Sequence, residues 1–187
     1  MLIQKSNNSL EQIQDMLKAY YPIVYLTSFE YDRAKQKIKG IAKKLNKDYQ
    51  LYEWNCVDGL SKRDLGNDEL SSVDNNEEPE QMLKYIISQI PNDQSEIYIL
   101  EDFHDFIEER NIKILLRQLA ERLRFYRKHI VIISSVLTLP TELEKYITVV
   151  EMALPNREDL EQVLQRVANS ARVEIGNDLK KKLIDAA

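Results

Sequence analysis

Residues 97–104 read IYILEDFH, and this stretch decides how the rest of the chain is interpreted. Four apolar residues, three of them β-branched or aromatic, are followed directly by the adjacent acids Glu101 and Asp102. An uninterrupted apolar run of this length is typical of a strand that is buried on both faces, as in a parallel sheet. The stretch therefore predicts a buried strand whose carboxyl end delivers two carboxylates to the edge of a sheet.

Four further segments have strand character, and the segments between them have the spacing of helices. The other strands are predicted at 22–28, 50–55, 130–135 and 147–152. Helices are predicted at about 10–20, 30–46, 79–90, 111–127, 140–146 and 156–169, with a last one after Asn177. Strands that alternate with helices form βαβ units with right-handed crossovers. The predicted fold class is therefore α/β, with three layers and a five-stranded, mostly parallel sheet.

Two strongly charged segments are interpreted as exposed to solvent. The helix at 30–46 carries bases outside its apolar stripe, which we interpret as a solvated face: Arg33, Lys35, Lys37, Lys39, Lys43 and Lys44. The segment at about 57–78 has no apolar periodicity, and seven acids but no base lie between Asp64 and Glu80. It is predicted to be a mobile acidic loop rather than a packed element. A docking segment for a basic partner is the alternative.

Charge and cysteine content exclude several classes of protein. The net charge of −5 gives no global attraction to nucleic acid or to an anionic membrane. The single Cys56 cannot form an intrachain disulfide, and we expect it in or near the core. The N-terminus lacks the pattern of a signal peptide, and no apolar run approaches about 18 residues. A reducing, cytoplasmic location is therefore predicted, without a membrane partner.

A phosphate-binding loop would have to follow the first predicted strand. Such a loop needs glycines, so that backbone N–H groups can wrap the phosphates, and a lysine. The sequence there is TSFEYDR, residues 27–33, which has neither. The loop position is occupied by Thr27, Ser28, Phe29 and Glu30, and no G-x-x-x-x-G-K pattern occurs anywhere in the chain. The sequence therefore predicts a sheet that lacks a phosphate-binding loop, and no cofactor for this chain.

The acids after the central strand form a candidate metal site. Glu101 and Asp102, with Asp105 close by, could hold Mg²⁺, because this ion accepts one or two carboxylates and several waters. Adjacent strand residues point to opposite faces, however, and neither His104 nor His129 has a second ligand at helical spacing. We therefore favour a capping or loop role for these acids. A small, metal-dependent phosphoryl-transfer enzyme that uses Glu101 and Asp102 is the alternative.

The sequence offers two further candidate sites, a serine pair and a basic helix face. Ser134 and Ser135 lack a glycine-flanked elbow, and no histidine with an orienting acid is evident beside them in the sequence. The basic face of the predicted helix 111–127 is interpreted as a solvated face with i,i+4 pairs, and contact with nucleic acid or another partner is the alternative. The residues of this possible interaction surface are Lys113, Arg117, Arg122, Arg124 and Arg127.

Three segments together resemble a known family. They are YPIVYLTSFEYDR (21–33), LEDFHDF (100–106) and VLTLPTELEKYITVVEMALPNRE (136–158). They are similar to the N-terminal half of the uncharacterised AAA-type ATPase family first noticed as a conserved reading frame in algal plastids and cyanobacteria. This resemblance covers roughly residues 10–187 without the acidic loop. It implies a P-loop-NTPase-like sheet with strand order 5-1-4-3-2, a degenerate AAA domain here, and an intact ATPase domain after it.

The resemblance also implies that the catalytic positions are altered. The paired acids, normally Asp then Glu, are Glu101 then Asp102. The nucleotide-sensing Asn falls near Ser135, and the arginine finger is replaced by Lys145 and Tyr146. The resemblance therefore implies that Glu101 and Asp102 are vestigial and that this chain is not itself an enzyme. ATP and Mg²⁺ are expected in the C-terminal domain instead.

Together these observations predict three regions and one function. The regions are an N-terminal helix at 1–21, an AAA-like domain at 22–170 and the truncated start of a helical lid at 171–187. The predicted function is a non-catalytic domain that regulates or assembles an AAA-type ATPase or binds a partner. Expected partners are its own C-terminal ATPase domain, a second copy or an unidentified protein, whereas nucleic acid is disfavoured. If the chain is plastid-encoded, the expected location is the plastid stroma.

Overall fold

The computed structural model of the chain describes residues 9–45, 49–73, 77–155, 157–171, 173 and 175–185. Contacts divide the chain into two compact units, Met1–Met152 and Ala153–Ala187. The first unit contains α1 (Ser9–Lys18), β1 (Ile23–Thr27), α2 (Tyr31–Leu45), β2 (Gln50–Asn55), β3 (Gly59–Arg63), β4 (Leu70–Ser72), α3 (Pro79–Gln89), β5 (Glu96–Glu101), α4 (Arg110–Leu123), β6 (Lys128–Ser134) and β7 (Ile147–Glu151). The second contains α5 (Arg157–Ala171) and α6 (Asn177–Asp185). Short 3₁₀ turns occur at Phe103–Asp105 and Thr141–Leu143.

The described part of the first unit forms one mixed sheet with the order β4-β3-β2-β5-β6-β1-β7. Strands β2, β5, β6, β1 and β7 run parallel, and β3 and β4 are antiparallel to their neighbours. The α/β class is confirmed, but the sheet has seven strands rather than the predicted five. The expected five-strand order is therefore not the order of the whole sheet. The five predicted strands themselves lie in the order β7-β1-β6-β5-β2.

The two additional strands lie where an unpacked acidic loop was predicted at 57–78, so that prediction is wrong for β3 and β4. β3 pairs with β2 from Asn55↔Gly59 to Leu51↔Arg63, and β4 pairs with β3. Apart from Gly59 and Leu60, which are buried, the residues of both strands are partly or fully exposed. β4 is an edge strand and β3 lies next to it, and strands whose side chains remain largely exposed show no apolar run, which explains why the pattern missed them. Residues 74–76 of the predicted loop lie outside the described part.

A tight turn joins β2 to β3. The Asn55 side chain accepts hydrogen bonds from the N–H groups of Val57 (2.9 Å) and Asp58 (2.8 Å), and Gly59 has a φ of 69°. This φ favours glycine because it lies in the left-handed region. Cys56 is exposed in this turn, so the prediction that it lies in or near the core is wrong.

Helices cover both faces of the sheet, as expected for three layers. The side chains of one face pack with α3 and α4, and those of the other pack with α1 and α2. β5 supplies both cores, since Tyr98 and Leu100 belong to the first and Ile97 and Ile99 to the second. Because alternate strand residues point to opposite faces, this confirms that IYIL is a strand buried on both sides.

The helix bounds differ from the prediction at several ends. The predicted helix 111–127 ends at Leu123, so Arg124 and Arg127 lie in the turn before β6. α5, which was assigned to the domain 22–170, belongs to the second compact unit. The first eight residues and Asn156 lie outside the described part. Among the described helices, none has the length and apolar character needed to cross a membrane.

Candidate functional site

The candidate site lies at the carboxyl edge of the parallel strands, where three residues join β1 to α2. The N–H of Ser28 donates to the carbonyl of Ser134 at 2.9 Å, and its Oγ accepts from the N–H of Glu30 at 3.0 Å. Thr27 hydrogen-bonds to β7, and Phe29 is 86% exposed. The motif that cradles phosphates is longer than this turn and needs glycines, so the turn cannot adopt that shape.

Glu101, the last residue of β5, is held by Lys35 of α2. The Lys35 ammonium lies 3.1 and 3.2 Å from the two carboxylate oxygens of Glu101. It also lies 3.7 Å from Asp32 and 3.9 Å from Glu53. Burial raises the pKa of Glu101, and the Lys35 charge opposes that shift. The prediction that Lys35 belongs to a solvated face is therefore wrong, since its side chain is only 21% exposed.

The ion pairs continue from Glu101 to the edge of the sheet. Arg63 of β3 binds Glu53 through Nη2 at 2.8 Å and also through Nε. Its Nη1 lies 3.0 Å from Asp68, which also contacts the Lys39 ammonium. We call these six residues the Lys35 network: Lys35, Lys39, Glu53, Arg63, Asp68 and Glu101. Three positive and three negative side chains alternate in it, so each acid of the network is paired with a base of this chain.

Asp102 faces a different partner from Glu101. Its backbone has φ 52° and ψ 28°, a left-handed conformation that Asp adopts more readily than most residues. The carboxylate accepts a hydrogen bond from the Tyr31 hydroxyl, which in turn accepts one from the N–H of Ser135 at 3.0 Å. Burial and the bond to Asp102 raise the pKa of Tyr31. Asp102 occupies the N-cap position of the 3₁₀ turn at Phe103–Asp105 but makes no side-chain capping bond, so of the two expected roles it has the loop position and not the capping bond.

A histidine lies beside Ser134, which sequence reasoning missed. His104 Nδ1 lies 2.9 Å from Ser134 Oγ, and its Nε2 lies 3.4 Å from Asp105. His104 and Ser134 are 30 positions apart, and nothing in the local sequence reveals their contact. Ser134 is fully buried and its hydroxyl donates to the Val136 carbonyl at 2.8 Å. The hydroxyl is therefore inaccessible to an external substrate, and the arrangement fixes the end of β6.

The three candidate metal ligands each have protein partners, and His104 lies near two of them, 3.8 Å from Asp102 and 3.4 Å from Asp105. Glu101 binds Lys35, Asp102 binds Tyr31, and Asp105 lies beside His104. Across the described residues, no group of three His, Cys, Asp or Glu side chains is arranged to hold a metal ion. The structure therefore does not bring these acids together as a chelating set.

The basic residues predicted as an interaction surface divide into two sets. Lys113 binds Glu142 at 3.2 Å. The four arginines are exposed and form no ion pair with any residue that the structure describes: Arg117, Arg122, Arg124 and Arg127. On a helix with 100° per residue, Arg117 lies on the same flank as Lys113, whereas Arg122 lies on the opposite flank. The set is therefore not one continuous surface.

Comparison with solved structures defines the class of fold. The chain is similar to PCH-2 from C. elegans, with a TM-score of 0.57 and 15% identity over 95% of this chain and 53% of that one. It is also similar to a RuvB variant from Thermotoga maritima, with a TM-score of 0.56 and 12% identity over 94% and 52% of the two chains. At these identities the likeness shows the fold alone, which is that of AAA and P-loop ATPases.

The particular family follows from sequence comparison. A family model described as "SpoVK-like AAA ATPase, N-terminal domain" matches residues 9–152, and the chain belongs to this family. It is 33% identical to the uncharacterized AAA domain-containing protein ycf46 of Trieres chinensis over 172 residues, covering 91% of this chain and 33% of the relative. The corresponding protein of Guillardia theta is 32% identical over 155 residues, covering 83% and 29%. The chain spans about a third of the length of these relatives.

Proposed function

We propose that this chain is a non-catalytic domain of an AAA-type ATPase and that ATP hydrolysis takes place in another part of the longer protein. The observation that carries the proposal is the three-residue turn Ser28–Phe29–Glu30 between β1 and α2. It supplies no glycine and no lysine, and its own hydrogen bonds close it. A nucleotide would find no cradle of N–H groups for its phosphates there.

The Lys35 network supports the proposal independently. In a catalytic site the acids that end the central strand must be available to a metal ion or to a water. Here the ammonium of Lys35 already neutralises Glu101 at 3.1 Å, and Asp102 accepts from Tyr31. A divalent cation would have to displace both partners. The site is thus complete without a ligand, as expected of a domain that has a structural or regulatory role.

The partners follow from the same proposal. The relatives are about three times as long as the matched region, which leaves room for an ATPase domain beside this one. We propose that the domain packs against that module, assembles copies of the protein or recruits a protein partner. ATP and Mg²⁺ would then be cofactors of the longer protein only, and a location in the cytoplasm or the plastid stroma is part of the same proposal.

Hydrolysis by the full-length protein tests the proposal. Asp102→Asn and Glu101→Gln are introduced singly, and ATP turnover is compared with that of the unmodified protein. We expect rates within about threefold, because these acids touch no nucleotide. A loss of more than about 100-fold in either variant, with the melting temperature retained, would show that the acids are catalytic. Glu108→Gln, an exposed acid seven positions after Glu101 that is not a candidate ligand, is the matched control.

A further inference from the structure

The opposite edge of the sheet carries an aromatic and basic surface that the proposed function does not use. Strands β1, β6 and β7 begin at this amino edge. They are preceded by Tyr20, Tyr21 and Pro22, by RFYR at 124–127, and by Lys145 and Tyr146. The topology therefore brings three short segments from distant parts of the chain to one edge.

A cavity of about 310 Å³ opens at this edge. Its lining includes Tyr20, Tyr21, Arg124, Lys145 and Tyr146, which we call the amino-edge surface. Tyr20 is 41% exposed and Tyr21 is 44% exposed, so both rings present area to solvent. The Lys145 ammonium lies 4.7 Å from the centre of the Tyr146 ring. Aromatic faces and cationic groups thus line one cavity that has room for a planar ring.

The charges of this surface are largely uncompensated. Arg124 and the nearby Arg127 form no ion pair with a described residue, and Lys145 contacts a ring rather than an acid. Carboxylates border the surface: Glu121 accepts a hydrogen bond from the Tyr146 hydroxyl at 2.9 Å. Asp15 and Glu144 line a second cavity together with Tyr21 and Lys145, and Asp15 lies 3.5 Å from the Lys18 ammonium. The buried Lys128 does not contribute, because it is paired with Glu96 at 2.7 Å. The exposed cations are therefore free to meet an anion.

Compensation of the helix dipole does not explain the whole surface. Cations after the last turn of α4 interact favourably with the negative end of its dipole. That effect gives no reason for Phe125 to be 76% exposed between two arginines, or for two tyrosines to lie open before β1. Aromatic rings that alternate with cations are the combination that binds bases by stacking and phosphates by charge.

We propose that the amino-edge surface binds single-stranded nucleic acid. Arg124, Arg127 and Lys145 pair with successive phosphates, while bases stack on Tyr21 and on the neighbouring rings. A single strand fits better than a duplex, because its unstacked bases can reach the tyrosine rings. Seven of the 31 acids lie between Asp64 and Glu80, and β4, which belongs to this segment, is at the opposite end of the sheet from β1 and β7. The proposal is independent of the carboxyl edge.

Fluorescence anisotropy tests the charges of the surface. The 187-residue chain is titrated into a labelled oligothymidylate of about 15 nucleotides. Three phosphate contacts predict that affinity falls about 20-fold between about 50 and 200 mM salt, and the double variant Arg124→Ala, Lys145→Ala should reduce this to about threefold. The control Arg110→Ala changes an exposed arginine at the other end of α4 and should leave the affinity within about twofold. Equal losses in the control and the double variant would overturn the proposal.

Stacking and the class of polyanion are tested in the same assay. Tyr21→Phe should keep the affinity, whereas Tyr21→Leu should lower it at least about fivefold, because only the first retains a ring. A poly-glutamate peptide of equal charge should compete poorly. If poly-glutamate competes as well as the oligonucleotide, or if Tyr21→Leu binds like Tyr21→Phe, the surface is a docking site for acidic protein and the proposal fails. Absence of any binding at about 50 mM salt also overturns it.

Discussion

Lys35 is the residue on which the carboxyl edge depends most. Its ammonium lies within 4 Å of three carboxylates, those of Glu101 (3.1 Å), Asp32 (3.7 Å) and Glu53 (3.9 Å). In a polar edge of this kind each buried acid needs a nearby positive charge or a hydrogen-bond donor, because an unpaired buried charge is costly. Lys35 supplies that charge from within the chain.

Replacement of Lys35 should therefore destabilise the domain. In Lys35→Met the carboxylate of Glu101 loses its counterion while most of its surface stays out of water. We expect the free energy of unfolding to fall by about 1 to 2 kcal/mol, since the pair is partly exposed. Urea denaturation measures the change.

A matched control lies on the same helix. Lys44 is exposed in the last turn of α2, so Lys44→Met should change stability by less than about 0.5 kcal/mol. If both variants lose the same stability, the ammonium of Lys35 is not a specific counterion of Glu101.

His129 gives the chain a defined response to acid. The residue is fully buried, with Nδ1 at 2.9 Å from the Tyr21 carbonyl, and burial lowers its pKa to about 4. The unfolded chain takes up the proton first, so the contribution of His129 to stability is fully present above about pH 6.5. It is lost progressively as the pH falls towards 4, with a total of about 3 kcal/mol.

An NMR titration of the His129 ring checks this expectation. The His129 ring of the folded chain should titrate with a midpoint near pH 4, unless the chain unfolds before that pH is reached. A midpoint at or above 6.5 would show that the ring is accessible to water, which contradicts its burial.

At the scale of elements, prediction from sequence succeeded where burial imposes a pattern. IYIL, IVYLT and the run at 130–135 are buried on both faces, and each was placed correctly. β3 and β4, the outer two strands at one end of the sheet, were missed because most of their side chains are partly or fully exposed and so show no apolar run. The prediction that this chain lacks a phosphate-binding loop rests on residues 27–33, which are next to one another in the sequence.

The contacts of the site itself could not be predicted. Lys35 and Glu101 are 66 residues apart, and Tyr31 and Asp102 are 71 apart. Local patterns say nothing about such pairs, which arise only from the order of the strands. For the same reason the tyrosines before β1 and the arginines after α4 were not recognised as one surface.

Hydrogen exchange tests the new element β3. Its residues Ser61, Lys62 and Arg63 pair with β2 on one side and β4 on the other. We expect the hydrogen-bonded amides of this strand to exchange at least about 100-fold more slowly than those of an unstructured chain. Exchange at the unstructured rate throughout 59–72 would restore the earlier interpretation of a mobile acidic loop.

At the scale of the whole first unit, the two edges of the sheet differ in character. The carboxyl edge, where ligands bind in sheets of this class, is satisfied by its own ion pairs and hydrogen bonds. At the amino edge, Arg124 and Arg127 form no ion pair with a described residue, and Tyr20 and Tyr21 are partly open to solvent. In this member of an AAA-type ATPase family, the acids at the carboxyl edge thus have partners within the chain.

Calorimetric titration of the 187-residue chain with Mg-ATP tests this account most directly. We predict heats equal to those of dilution at nucleotide concentrations up to about 1 mM, because the β1–α2 turn offers no phosphate cradle and Lys35 neutralises Glu101. An AAA-type protein with an intact phosphate-binding loop, titrated under the same conditions, is the positive control. Saturable binding of Mg-ATP with a Kd in the micromolar range, abolished by Glu101→Gln, would contradict the account.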